Sequence, residues 1–352
     1  MPTRGLSILA AVTVSAVVAC WIAIDERYRG VALEERTRDL VFPAFNDRID
    51  SVTHVAVSRA DGRFVLARRA GGWANMGIGG YSATSTRLED VLGAVAGLRY
   101  VEPRTKRRTL HHKLGVEDVA AGAKSTRLTI KDAAGAVLAD VIAGKRKEAV
   151  AGRYRQGTYI RLPGDERAWL AEGSLDVHHD APDWSDRAVV DIDAGALATL
   201  VVTHADGEVV ALHRNRPGDR KLALMNPPAG AGVEHQYQID YMAGLLQGVE
   251  FDDAMRAGMA DLEAIPAFEV VAQSQSGLAV TLRASAPEED GSVWTRIEAT
   301  VSGEAPASDH ARQEAARINA GFNDWSVKLP RTVTDRLRIR LGDIIGGPAA
   351  NQ

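Results

Sequence analysis

The run Asp176-Val177-His178-His179-Asp180, with Asp183 close behind, holds the best set of metal-ligating side chains in the sequence. Imidazole nitrogens and carboxylate oxygens are ordinary ligands of a divalent ion. On an extended backbone, however, adjacent side chains point to opposite faces, and Pro182 marks the segment as a connection between domains. His178, His179 and Asp180 are therefore weak metal candidates, with a solvated or capping role the plainer expectation, and no cofactor is expected. His111-His112 beside Lys113 is weaker still. The carboxylates of Glu288-Glu289-Asp290 and Asp252-Asp253 could share acid/base work, but they stand in turn-like or helix-end contexts where solvated surface is ordinary.

Other chemistries leave no trace. No Gly-x-Ser-x-Gly string is present to expose a strained nucleophile, and no Gly-x-x-x-x-Gly-Lys-Ser/Thr to cradle phosphates. Gly77-Ile78-Gly79-Gly80 precedes a helix pattern by several residues and lacks the third glycine of a dinucleotide loop, so it reads as a turn that needs positive φ. Cys20 is the single cysteine, which excludes an intrachain disulfide and a Cys-based zinc cluster. The expectation is a protein without catalytic residues. Two basic clusters, Arg104/Lys106/Arg107/Arg108 and Lys145/Arg146/Lys147, could meet anionic headgroups or acidic envelope polymer, at about 1 kcal/mol per charge near a membrane. A solvated turn face is the competing reading. Trp73, Trp169, Trp184 and Trp325 sit near the ends of strands or motifs and read as core plugs rather than a sugar-stacking platform.

Composition supports this view. With 352 residues, 45% apolar and 25% charged, the chain should fold as two globular domains. A net charge of -4, with basic residues dispersed among acids, gives no field for nucleic acid, and nucleic acid is set aside as a partner.

The N-terminus carries the strongest signal. Gly5 to Ile24 is a run of 20 residues without a charge, flanked by Arg4 and by Asp25, Glu26 and Arg27. As a helix rising about 1.5 Å per residue it would just cross a hydrocarbon core of about 30 Å. Arg4 on the short leading side favours a cytoplasmic start and an exported body. The leading expectation is an uncleaved signal anchor in a bacterial inner membrane, with residues 5–24 in the bilayer and the body in the periplasm or otherwise outside the cytoplasm. Val17-Val18-Ala19-Cys20 also resembles a lipobox, which would make Cys20 a lipid attachment site, and a secretory peptide ending near Ala19 is a third reading. Each of these three places the body outside the cytoplasm, whereas a fourth reading, a buried core helix, does not.

A motif then occurs twice. His54 to Arg59 alternates as a strand, Ala60-Asp61-Gly62 turns, Arg63 to Arg68 returns, and a helix is predicted from Ser85 to Leu98 with Thr84 or Ser85 as N-cap. Thr199 to His204, Ala205-Asp206-Gly207 and Glu208 to Arg214 repeat the hairpin, with a helix from Gln236 to Val249. The two turns are 145 residues apart and the helix-end residues Leu98 and Leu246 are 148 apart. Near-equal spacing suggests duplication. Further hairpins follow each helix, and a last helix is expected from Ser308 to Phe322. The pattern gives an α+β fold: an anchor over 1–29, two tandem, related modules of antiparallel hairpins over 30–185 and 186–342, and a tail over 343–352.

At Gly71-Gly72-Trp73, Ala96-Gly97-Leu98, Leu114-Gly115-Val116-Glu117-Asp118, Asp183-Trp184-Ser185-Asp186-Arg187 with Asp191-Ile192, and Asn323 to Pro330, the chain resembles the bacterial family called domain of unknown function 4340, over about Phe42 to Leu337. Asn215 to Lys221 departs from the pattern, lacking the Gly-Gly-Trp that follows the first hairpin. The resemblance implies an N-terminal membrane segment and an auxiliary role beside the permease and ATPase subunits of a gliding-motility-type ABC transporter. It implies no catalytic residues. An envelope module binding polysaccharide or peptidoglycan is the first alternative, and a hydrolase of unrecognised type the second.

Overall fold

Period-two alternation of apolar and polar residues, which makes one face of a strand buried and the other exposed, builds most of this chain. The computed structural model describes residues 18, 20, 21, 38–148, 156–216, 219, 221–258, 266–301 and 308–345. The described parts form two compact units, Met1–Ala74 with Thr84–His179, and Asn75–Ala83 with Asp180–Gln352.

The first sheet takes strands β1 (Val52–Arg59), β2 (Gly62–Arg69), β3 (Gly72–Asn75) and β4 (Tyr81–Ser82). After helix α1 (Ser85–Gly97) it continues with β5 (Arg99–Pro103), and after the short helix α2 (His111–Leu114) with β6 (Thr126–Asp132), β7 (Val137–Lys147), β8 (Gly157–Arg161) and β9 (Ala168–Glu172). Their order is β4-β3-β2-β1-β6-β7-β8-β9-β5. From β2 to β5 every pairing is antiparallel. Helix α1 buries Leu88, Val91, Leu92 and Val95, the three- and four-residue stripe that its sequence predicts.

In the second unit a two-stranded ribbon pairs β10 (Ala188–Val190) with β14 (Val249–Glu250). The large sheet uses β11 (Leu197–His204), β12 (Val209–His213), β13 (Ala223–Leu224), β15 (Asp253–Arg256), β16 (Phe268–Ser274), β17 (Leu278–Ala284), β18 (Val293–Val301) and β19 (Trp325–Leu329). Its order is β13-β12-β11-β16-β17-β18-β19-β15, antiparallel throughout. Helix α3 (Gln236–Ala243) precedes β15, α4 (Asp309–Phe322) lies between β18 and β19, and α5 (Arg331–Leu337) and α6 (Leu341–Ile344) follow. The core joins Ile239, Met242, Leu245 and Leu246 to the inner faces of the strands and to Ala315, Ile318 and Phe322 of α4.

Seven strands stand in the same order in both sheets: β2-β1-β6-β7-β8-β9-β5 in one and β12-β11-β16-β17-β18-β19-β15 in the other. In each, the edge strand that follows a helix returns to pair with the last strand of its half. The fold is mixed α+β with antiparallel sheets and few helices, as the alternation predicts.

Several details differ from the sequence reading. The helix expected from Gln236 to Val249 ends at Ala243. Gly248 takes a φ of 57° and Val249 already belongs to a strand, yet Leu245 and Leu246 remain fully buried, so the apolar spacing reported burial rather than helix. The division between units falls at His179/Asp180 instead of after residue 185, and the first stretch is not continuous, because Ile78 and Tyr81 of Asn75–Ala83 are buried in the second unit's core. Arg38, Asp39 and Val41 hydrogen-bond to Leu98 and Tyr100, and Leu40 bridges Arg99, so the chain covers the outer edge of β5.

The expected spanning segment 5–24 lies outside the described residues except for Val18, Cys20 and Trp21, which are helical and exposed. Among the described residues no helix is long and apolar enough to cross a membrane. Residues 25–37, residues 149–155 and residues 346–352 of the expected tail also lie outside the described residues.

Candidate functional site

The residues singled out for metal chemistry are not brought together. His178 and His179 end the first unit and Asp180 begins the second. His179 Nδ1 lies 3.4 Å from Thr126 Oγ1, Val177 between the polar residues is buried, and Asp176 pairs with Arg146 at 2.7 Å. Asp180 uses its main-chain oxygen to accept from Asp183 N. Among the described residues no three His, Cys, Asp or Glu side chains converge closely enough to hold a metal ion. His111 is buried, with Nε2 3.0 Å from the Glu166 oxygen.

That contact belongs to a rigid basic rim. The buried guanidinium of Arg161 on β8 donates from Nε to Val116 O at 2.8 Å, from Nη1 to Asp165 O at 2.9 Å, and from Nη2 to Asp118. The Arg161 side chain holds the Asp118 carboxyl below its ordinary value. Arg167 donates to Arg104 O at 2.8 Å, and Arg104 pairs with Glu102 and lies over the Tyr159 ring. The loop 104–118 is thereby clamped to the loop 162–167, so Lys106, Arg107, Arg108, His112 and Lys113 stand exposed on a fixed frame. Arg108 reaches Glu166 at 3.5 Å, a loose exposed pair. The second cluster is less available, since Arg146 is taken by Asp176.

The paired carboxylates have a structural cation. Lys328 Nζ sits 2.7 Å from Glu288 and 3.0 Å from Asp290, and Trp294 Nε1 donates to Glu288 at 2.9 Å. Ser292, through its hydroxyl and its N–H, and then Lys328 hold the Asp290 carboxyl down to about 2. Burial pushes the Asp253 carboxyl up, against the N–H of Ala254 and the charge of Lys328.

Three of the four tryptophans serve packing as their positions in the sequence suggest, whereas Trp73 on β3 is only half-buried. Trp184 is fully buried, and Trp169 tilts against Tyr100 with ring centres 4.6 Å apart. Trp325 packs edge-on against Tyr81 at 5.1 Å and carries the Arg256 guanidinium on its face at 4.2 Å. Tyr81 also meets Phe251 and Phe322. The local pattern along the chain does not point to Asn75, whose buried side chain donates to Ala181 O at 2.6 Å and to Ser185 Oγ at 3.3 Å, fastening the Trp184-Ser185 motif. Nor does it disclose a polar recess on β17 and β18 around Arg283 and Arg296, because register between strands is not written in either strand alone.

One further motif of the resemblance, and the Gly77–Gly80 stretch read as a turn, are structural. Gly115 caps α2 with a left-handed φ of 71°, Val116 is fully buried, and Gly79 and Gly80 take positive φ in the turn before β4. Comparison with curated proteins and with solved structures found no match. The model of the family described as Domain of unknown function (DUF4340) matches residues 73–267, more than half of the chain but a shorter stretch than Phe42 to Leu337, leaving the Asn323 to Pro330 motif outside it. The chain belongs to that family.

Proposed function

We propose that this chain is a non-enzymatic protein tethered to a bacterial inner membrane by residues 5–24, with two duplicated α+β modules outside the cytoplasm, acting as an auxiliary component of a gliding-motility-type ABC transporter. The observation that carries the tether is the uncharged 20-residue run, followed after residues 25–37 by Arg38 to Val41 bound along β5. Thirteen residues at no more than about 3.5 Å each limit the gap between bilayer and first unit to about 45 Å. The basic rim follows β5 directly in sequence, which supports its use against anionic headgroups. The shared seven-strand order supports duplication. Partners in the transporter rest on the family resemblance alone.

Crosslinked extraction in mild detergent tests the transporter reading. Recovery of an ATPase and a permease is expected, and their absence under crosslinking sinks it. Mass spectrometry of the mature N-terminus separates an intact anchor from an acylated Cys20. The alternative of an envelope-polymer module draws on the exposed cations of the rim, and sedimentation with purified sacculi distinguishes it.

A further inference from the structure

Strands β17 and β18 place Arg283 directly opposite Arg296 and Thr281 directly opposite Glu298. Val280, Leu282, Ile297 and Ala299, the alternate positions, are buried in the core. The four polar residues, with Asn319 of α4 and Asn323 just beyond it, line a recess of about 290 Å³.

Like charges directly opposite on a ladder repel unless they are compensated. Arg283 is compensated, with Glu269 at 3.3 Å and Glu298 at 3.9 Å. Arg296 is not. Among the described residues its guanidinium donates only to Trp325 O, at 3.0 Å, and has no carboxylate partner. Ser326, opposite Arg296 on β19, is fully buried, and its hydroxyl has no partner among the described residues. The frame is fixed: Asn319 accepts from Ala299 N at 2.9 Å and donates to Ala299 O at 2.7 Å, pinning α4 to the edge of β18. The Asn323 side chain is exposed at the rim.

We propose that this recess binds a small hydroxyl-bearing carboxylate the size of one uronic acid, its carboxylate on Arg296 and its hydroxyls on Glu298, Thr281 and Asn323. A guanidinium matches a carboxylate with two parallel N–H donors. With Glu269 counted, the two arginines and two glutamates cancel, so the site offers one local fork rather than a positive field. That selects a singly charged group over a phosphate dianion. A volume near the lower limit for ligand pockets suits a single sugar ring. The assignment is independent of the tether and of any transporter.

Titration calorimetry on the full chain in detergent, with glucuronate, glucose and inorganic phosphate, tests it. Saturable binding of glucuronate is expected, with glucose and phosphate each roughly tenfold weaker or worse. Arg296→Gln should weaken glucuronate roughly tenfold, and Arg296→Lys should fall between. Asn323→Asp, an exposed change that leaves the fold intact, should weaken it too by placing a carboxylate at the rim. No saturable binding of glucuronate, phosphate or glucose binding as tightly, or unchanged affinity in both Arg296→Gln and Asn323→Asp would overturn the proposal.

Discussion

Arg161 donates from Nε to the main-chain oxygen of Val116 at 2.8 Å, a bond that joins residues 45 apart in sequence. The same guanidinium holds Asp165 O and the Asp118 carboxylate, so one buried cation fixes two loops. Arg161→Met leaves both carbonyls without their donor and should lower the stability of the first unit by about 3 kcal/mol. Asp118→Asn should cost much less, because that carboxylate is 68% exposed. Denaturant melts of the two variants give the comparison, and equal losses would count against this account.

Gly144 passes close beneath the same loop. A Cβ there would collide with Leu114 O and stand 2.7 Å from Val116 Cγ1 and 2.8 Å from Gly115 O. Two of these atoms are backbone and cannot swing aside. Gly144→Ala should destabilise by about 2 kcal/mol, whereas Gly122→Ala meets no atom within 4 Å but has a φ of 80°, so its cost is conformational alone. Thermal melts should place Gly144→Ala lower of the two.

Burial first, and then the charge of Asp186, pushes the Tyr81 phenol from 10.0 up to about 12. A group raised on folding contributes stability that is intact below its unfolded value and is lost as pH rises through the folded one. The second unit should therefore weaken between pH 10 and 12 as the chain gains by ionising Tyr81 in the unfolded state. Tyr81→Phe keeps the ring contacts with Phe251 and Trp325 and should flatten that decline. Urea midpoints of both proteins across this window read the effect.

Asp253 is also raised, mainly by burial, so its ionisation opposes folding as pH climbs above its ordinary 3.8. Asp253→Asn retains an oxygen to accept from Ala254 N. It should be more stable than the parent at neutral pH and indistinguishable from it below about pH 3.8. A gain that persisted in acid would refute the electrostatic cause.

The basic rim gives a membrane prediction. In lipid nanodiscs, hydrogen exchange over residues 104–113 should slow when an anionic lipid replaces a zwitterionic one, and high salt should erase the difference. Changing Lys106, Arg107 and Arg108 together to Glu should remove it. An identical exchange rate in both lipids would show that the rim faces solvent.

How much of this could be read along the chain depends on distance. Alternation located β1, β2, β11 and β12 closely, because burying one face of a strand is a local property of period two. The start of α4 near Ser308 was equally legible, and the structure adds that the Ser308 hydroxyl caps it, accepting from Ala311 N at 3.1 Å. Short strands such as β5 and β15 escaped notice, since a few residues at a sheet edge carry too little pattern.

The sequence by itself determined the α+β class, the apolar faces, the doubled hairpin and the lone uncharged run, since each follows from side-chain type at fixed local spacing. Only the tertiary structure decided that His178 and His179 lie in a different unit from Asp180, that Ile78 and Tyr81 are buried in the second core, and that Arg283 faces Arg296. Register and long-range pairing are set by which whole faces bury best together, and that free energy is summed over the fold rather than stored in any one segment.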